Sequence, residues 1–302
     1  MSIEQEIKRL LKRKSAFLEA SIKDLDKNIK DIQKKLLELI FAEYMDKFDI
    51  VDGKLADTTK NFRLIAEMDK VYDDFAKTYQ NEIVKGFGKD ITRLTIVTGE
   101  YYRNIGVTAK TVKNIAEKLK YIDQSIGVRD GKIIKGSYLD RLAQSQEVRQ
   151  KLKNYVTSSI VEGKGYTSYK QGMKELVVGK RGVDGSLEGY WKQYAHDSYY
   201  QVENAKSAFF ADQVGFNYFY YFGVIITTSR DFCIKRAGKV FSREDAERDW
   251  KCDPTLLRRK GVTGCDETYN YAVEVGRWNC QHTLGWIDEE AAMQVGVSKI
   301  NI

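Results

Sequence analysis

The sequence predicts an α+β chain that is mostly α-helical. An N-terminal long-helix hairpin region precedes a C-terminal module of helices with a small antiparallel sheet. Apolar residues recur at heptad spacing from Leu11 onward, the signature of a long helix packed on another helix. One Pro in 302 residues, where about 5% is ordinary, leaves few rigid turns to interrupt helices. All four Cys, both His and all four Trp fall after residue 160, which sets an aromatic-rich globular part apart from the helical one. The expected division is 1–144 for the basic helical region and 145–302 for the α+β module.

The first helix is read from the seam Leu11, Leu18, Ile22, Leu25, Ile29, Ile32, Leu36 and Leu39, with Ser15 as its one polar position. Such a seam serves an intramolecular core or an oligomer zipper. It weakens through Tyr44 and Phe48, and Asp52-Gly53 marks a turn. Asp57 or Thr58 then caps a second helix with Phe62, Ile65, Met68, Tyr72, Phe75 and Tyr79 at helical spacing. Thr108 caps a further helix through Val112, Ile115, Leu119 and Ile122. Ile126–Ile134 is a hairpin around Asp130-Gly131, and Ser137 opens a helix with Leu139, Leu142, Val148, Leu152, Val156 and Ile160 buried.

In the second part, Gly163–Ser168 is a helix-entry loop with Thr167 as the cap. It lacks the Gly-Lys-Ser/Thr ending of a nucleotide cradle. Tyr190–Ala211 reads as an aromatic helix. Asn217–Thr227, rich in aromatic and β-branched residues, reads as a buried strand, and Ser242 caps a helix from Arg243 to Trp250.

Charge is uneven along the chain. Residues 1–160 carry 31 Lys+Arg and 24 Asp+Glu, whereas 161–302 carry 19 of each, for an overall +7. Lys23, Lys27, Lys30 and Lys34 form a stripe beside the seam. The stripe is either a solvated face or a non-specific contact with DNA phosphates or an acidic partner. No apolar run approaches the ~20 residues of a membrane span, and no signal peptide opens the sequence. The expectation is a soluble chain made in a cytoplasm.

Ser229-Arg230-Asp-Phe-Cys233 follows the aromatic strand, then Gly238-Lys239-Val-Phe241, and about forty residues later Gly276-Arg-Trp-Asn279-Cys280-Gln-His282. Over roughly residues 145–287 this pattern resembles the MuF-like head-morphogenesis, or minor head, proteins of tailed bacteriophages. The matching signature positions are Arg230, Cys233, Gly238, Lys239, Asn279, Cys280 and His282. Gln281 stands where many members have Arg within a His-Pro-Asn-Cys-Arg-Cys ending, so the resemblance carries over no ion pair at that position. The resemblance implies a virion protein and not an enzyme. Such a protein associates with the portal and capsid at the special vertex and assists head assembly or DNA delivery. With sixteen residues after Trp286, no fused enzyme domain is expected.

A search for chemistry finds no Gly-x-Ser-x-Gly elbow, no His-Glu-x-x-His and no calcium loop. His196 is read as a helix-surface or packing residue. Cys233, Cys252, Cys265, Cys280 and His282 supply enough ligands for tetrahedral zinc, yet no Cys-x-x-Cys knuckle is present. Buried thiols, a zinc site and disulfides all stay open, with no cofactor as the base expectation. Arg230 is expected to be structural, with partners among Asp231, Asp249, Asp266 and Glu267. Trp250, Trp278 and Trp286 are expected in the core or an interface. A non-specific nucleic-acid-binding protein and a zinc-binding module are the alternative functions.

Overall fold

The computed structural model describes residues 2–129 and 132–299. The elements in chain order are α1 (Ile3–Glu43), β1 (Ile50–Val51), β2 (Lys54–Leu55), α2 (Thr59–Phe75), α3 (Asn81–Asn104), α4 (Ala109–Ile126), β3 (Val128–Arg129), β4 (Lys132–Ile133) and α5 (Tyr138–Gln144). They continue with α6 (Gln146–Val161), α7 (Tyr166–Val178), β5 (Gly179–Lys180), β6 (Val183–Asp184), α8 (Ser186–Val214), β7 (Tyr218–Phe222) and α9 (Asp231–Arg236). The last are β8 (Val240–Ser242), α10 (Arg243–Asp249), α11 (Tyr271–Glu274), β9 (Thr283–Ile287) and α12 (Glu289–Val295). The expected class, mostly helical with small antiparallel sheets, is what the chain adopts.

The compact units do not follow the expected boundary between 144 and 145. One unit comprises Met1–Ile22, Lys89–Ser125 and His196–Ile302; the other comprises Lys23–Gly88 and Ile126–Ala195. The helices α1, α3 and α8 each begin in one unit and end in the other, so the chain changes unit repeatedly. Charge and composition vary along the sequence and are blind to that weaving.

In the unit built on 23–88 and 126–195, the α1 seam is buried at Leu25, Ile29, Ile32 and Leu36 and is continued by Ile40, Tyr44 and Phe48. Thr58 does cap α2, its hydroxyl accepting from the Asn61 N–H at 3.2 Å. Leu64 and not Phe62 lies on the buried face of α2. The helix expected after Ser137 is two helices. Ser145, at φ 44°, breaks it, because a left-handed residue ends the hydrogen-bond ladder. Thr167 sits inside the first turn of α7, whose cap is Gly165. The β3–β4 pair sets Val128 against Ile133, while its expected turn, Asp130-Gly131, lies outside the described residues. On α1 the side chains of Lys23, Lys27, Lys30 and Lys34 are exposed. Lys30 stands 3.4 Å from Glu188 and Lys34 3.5 Å from Asp31.

In the other unit, β7 is the central strand of the order β8-β7-β9, antiparallel to both neighbours. Phe219 faces Phe241 on one side and Trp286 on the other. Its ring also packs at 5.5 Å from Trp250 and 5.8 Å from Tyr271, so the aromatic run is core, as such runs usually are. The strand is shorter than expected. It ends at Phe222, and Val224, Ile225 and Ile226 are exposed, Val224 at 72%. The Thr108 hydroxyl accepts from Thr111 at the start of α4, and the Ser242 hydroxyl from Asp245 at the start of α10.

This core also encloses charge. Lys14, one residue before the polar seam position, is 1% exposed and its Nζ lies 2.5 Å from Oε1 of fully buried Glu203. Lys206, equally buried, donates to the Ile91 carbonyl and pairs with Asp123 at 2.6 Å. Truncating one member of a buried pair strands the other charge. Glu203→Ala is expected to lower the unfolding free energy by about 3–5 kcal/mol in urea titrations, and pairing it with Lys14→Met should recover most of that loss.

Candidate functional site

The site grows from the register of β7 and β9. Phe222 faces Thr283, which brings the next residue on β7's side, Gly223, beside His282. A Cβ at Gly223 would stand 2.3 Å from His282 Cδ2, so only glycine admits the imidazole there. The chain leaves the sheet through the exposed 224–228 segment and returns at Arg230, the extended residue before α9. Cys233 lies in α9's first turn, its N–H donating to the Arg230 carbonyl at 2.9 Å.

The second half is the turn before β9. Val275, Arg277 and Asn279 have φ of 48°, 64° and 57°. Non-glycine residues in this region store strain of about 1–3 kcal/mol each, most acutely a β-branched valine. Arg230 holds the turn: its guanidinium donates to the Gly276 carbonyl at 3.0 Å and to the Trp278 carbonyl. Its partners are therefore carbonyls, and the expected carboxylates Asp231, Asp249, Asp266 and Glu267 are not used. The turn already exposes backbone oxygens to the planar fork of the guanidinium. The Asn279 N–H donates to Asp197 Oδ1 on α8 at 2.9 Å, and burial raises that carboxyl above its ordinary range. Asn204, on the same helix, donates to the His282 carbonyl and accepts from the Leu284 N–H.

These restraints gather Cys233, Cys280 and His282, all buried. Cys233 Sγ and Cys280 Sγ are 3.9 Å apart, and Cys280 Sγ is 3.6 Å from His282 Nδ1. The ligand atoms of all three lie within 4.8 Å of one another. The Tyr221 hydroxyl donates to Cys233 Sγ at 3.4 Å and the Gly276 N–H to Cys280 Sγ at 3.2 Å. The hydrogen bond between the thiols, with support from His282 and Tyr221, pulls Cys233 below the usual thiol range. That same bond, with burial, pushes Cys280 up. His282 Nε2 is buried with no hydrogen-bond partner among the described residues.

The three side chains line a cleft of about 430 Å³ with Val224, Ile226, Thr228, Ser229, Arg230, Asn279 and Gln281. Five signature positions, Arg230, Cys233, Asn279, Cys280 and His282, thus meet at one place. Gly238 and Lys239 do not: they form the turn into β8, with the Gly238 N–H donating to the Tyr221 carbonyl and Lys239 Nζ to the Lys235 carbonyl. Cys252 and Cys265 are disulfide-bonded to each other, which removes them from the thiol and zinc-ligand candidates. Their pairing follows from the 253–264 loop, which returns the chain to Lys251, whose carbonyl accepts from the Asp266 N–H at 2.9 Å.

Two further arginines brace the surroundings. Arg277 pairs with Asp266 and donates to the Leu257 carbonyl at 2.7 Å. Fully buried Arg236 pairs with Asp253 at 2.6 Å and stacks on Phe232 and Trp250. Trp250 and Trp286 are core, whereas Trp278 is 43% exposed, which leaves it the interface half of its expectation. His196 is half-buried on α8. Sequence reasoning missed Tyr221, Gly223, Gly276 and Asp197. Gly223 and Gly276 were visible as glycines flanking the aromatic strand and the Arg-Trp-Asn-Cys segment, but nothing in their spacing said that they face sulfur and imidazole.

Comparison of the chain with protein families, curated proteins and solved structures finds no match in any of the three.

Arg230→Ala removes two charged hydrogen bonds from a strained turn, and a loss of about 1–3 kcal/mol is expected in thermal unfolding. Unchanged melting would remove the bracing role. A second expectation concerns acid. Hydrogen bonds from Thr268, with Arg277, hold Asp266 down at about 2 in the folded chain. A depressed carboxylate stabilises the fold above its unfolded value near 4, and that contribution is lost as pH falls toward 2. Asp266→Asn should therefore lower the melting temperature at neutral pH and flatten its decline between about pH 4 and 2.

Proposed function

We propose that this chain is a minor head protein of a tailed bacteriophage, a virion component that docks on the portal or inner capsid and assists head assembly or DNA delivery. The observation that carries the reading is the convergence of Arg230, Cys233, Asn279, Cys280 and His282. These residues were singled out by the resemblance and come from two segments more than forty positions apart. Residues that merely matched by chance would have no reason to share a cleft.

In this reading the role is binding and assembly without turnover. Val224, Ile225, Ile226 and Trp278 present exposed apolar surface in one unit, as a docking face requires. The exposed Lys23, Lys27, Lys30 and Lys34 suit loose, salt-sensitive contact with packaged DNA. Among the described residues no helix is long and apolar enough to cross a membrane, so partners are sought among proteins and nucleic acid.

A second reading has its own support. Cys233, Cys280 and His282 form a set of donors of the kind that binds zinc, and in this reading the module carries one zinc ion.

The test of the first reading is co-purification of the full chain with the portal oligomer of the same phage. Co-elution that survives moderate salt is expected. Failure to bind portal or capsid protein, together with DNA affinity that falls steeply with salt, would overturn it in favour of a non-specific nucleic-acid binder.

A further inference from the structure

We propose that a zinc ion held by Cys233, Cys280 and His282 keeps its fourth coordination position open to the cleft, where water sits and small anions or thiols exchange with it. The proposal rests on the zinc reading above and adds what kind of zinc site it is.

Distances make the first part of the case. Around a tetrahedral zinc with bonds of about 2.3 Å to sulfur and about 2.0 Å to nitrogen, adjacent sulfurs stand about 3.8 Å apart and a sulfur and a nitrogen about 3.5 Å. The Cys233–Cys280 separation of 3.9 Å and the Cys280–His282 Nδ1 separation of 3.6 Å are two edges of that tetrahedron. A pair of sulfurs nearly 4 Å apart is also far from the ~2.05 Å of a disulfide.

The surroundings resemble a metal centre's supporting layer. The Gly276 N–H and the Tyr221 hydroxyl already point at the two sulfurs, as outer partners of thiolate ligands do. A Cβ at Gly276 would stand 2.6 Å from Cys233 Sγ and 2.8 Å from Cys280 Sγ. Backbone therefore closes the centre on the Gly276 side, and Gly223 closes it behind the imidazole.

Openness is the second part. Among the described residues no fourth Cys, His, Asp or Glu joins the cluster. The same three ligands line the cleft of about 430 Å³, together with the Arg230 guanidinium and the polar side chains of Thr228, Ser229, Asn279 and Gln281. A closed structural zinc takes four protein ligands, whereas three ligands lining a cleft leave a site for an exogenous donor. The positive guanidinium and the hydroxyl and amide groups of that lining suit a small anion. Such a site would also mean that these Cys and His residues do more than stitch the fold.

The test uses the full chain, purified metal-free with the Cys252–Cys265 disulfide intact and Cys233 and Cys280 as free thiols, and loaded with one equivalent of cobalt as a spectroscopic stand-in for zinc. The expected product holds about one cobalt per chain, with visible bands of tetrahedral thiolate ligation that weaken in Cys280→Ser. Titration with azide, and separately with 2-mercaptoethanol, should shift those bands saturably. Thr228→Trp, which narrows the cleft without touching a ligand, should weaken the anion response and leave cobalt content unchanged. Bands indifferent to both added ligands would mean a closed centre and overturn this proposal while leaving the zinc reading intact. Failure to retain cobalt, or equal retention by wild type and Cys233→Ser, would overturn the zinc reading itself. Because the decisive titration is made on the wild-type chain, poor folding of a variant does not spoil it.

Discussion

One guanidinium and two backbone carbonyls set the geometry on which the C-terminal part of the molecule depends. Arg230 lies where the chain leaves the exposed 224–228 segment and enters α9, and it grips the carbonyls of Gly276 and Trp278, 46 and 48 residues further along the chain. The turn so held contains three non-glycine residues with positive φ, a conformation that persists only when its surroundings over-determine it. Arg230 and Asp197 supply that constraint through their hydrogen bonds to the turn. Cys280 and His282 are delivered next to Cys233 as a consequence.

Two sets of basic and sulfur-bearing residues, alike in sequence, therefore do different work. Arg236 with Asp253, Arg277 with Asp266, and the Cys252–Cys265 disulfide tie together the 250–277 stretch, which carries little regular structure of its own. Buried arginines suit this because one planar group reaches a carboxylate, a carbonyl and an aromatic face at once. Cys233, Cys280 and His282 are instead turned toward a cleft, and His282 Nε2 has hydrogen-bonding capacity that no described residue uses. Buried polar atoms are ordinarily satisfied, so this cluster is unlike the ties around it.

Much of the fold was legible because helices and caps are local. The α1 seam, the Thr58, Thr108 and Ser242 caps and the buried faces at Leu139–Ile160 follow from residues within a turn or two of one another. What escaped was set at longer range. Ser145 reads as an ordinary helix residue, yet the chain breaks there. Val224, Ile225 and Ile226 have strand composition but leave the sheet, since β9 pairing ends at Thr283 and a strand needs a partner. Lys14 stands three residues after Leu11 and four before Leu18, on the apolar stripe itself, where a charge is out of pattern, and only Glu203, 189 residues away, makes its burial tolerable. Within the site, the motif residues were visible as a pattern, but the separation of Cys233, Cys280 and His282 from Cys252 and Cys265 was not. Five potential ligands spread over fifty residues can be grouped in many ways, and only the strand register chooses among them.

Strand pairing and the Arg230-held turn pre-assemble one Cys, Cys, His donor set. X-ray absorption at the zinc edge, on the full chain carrying one equivalent of zinc, reads out that donor set. The expected shell is two sulfurs at about 2.3 Å and two lighter atoms at about 2.0–2.1 Å. A shell of four sulfurs, or one of nitrogen and oxygen alone, would contradict it.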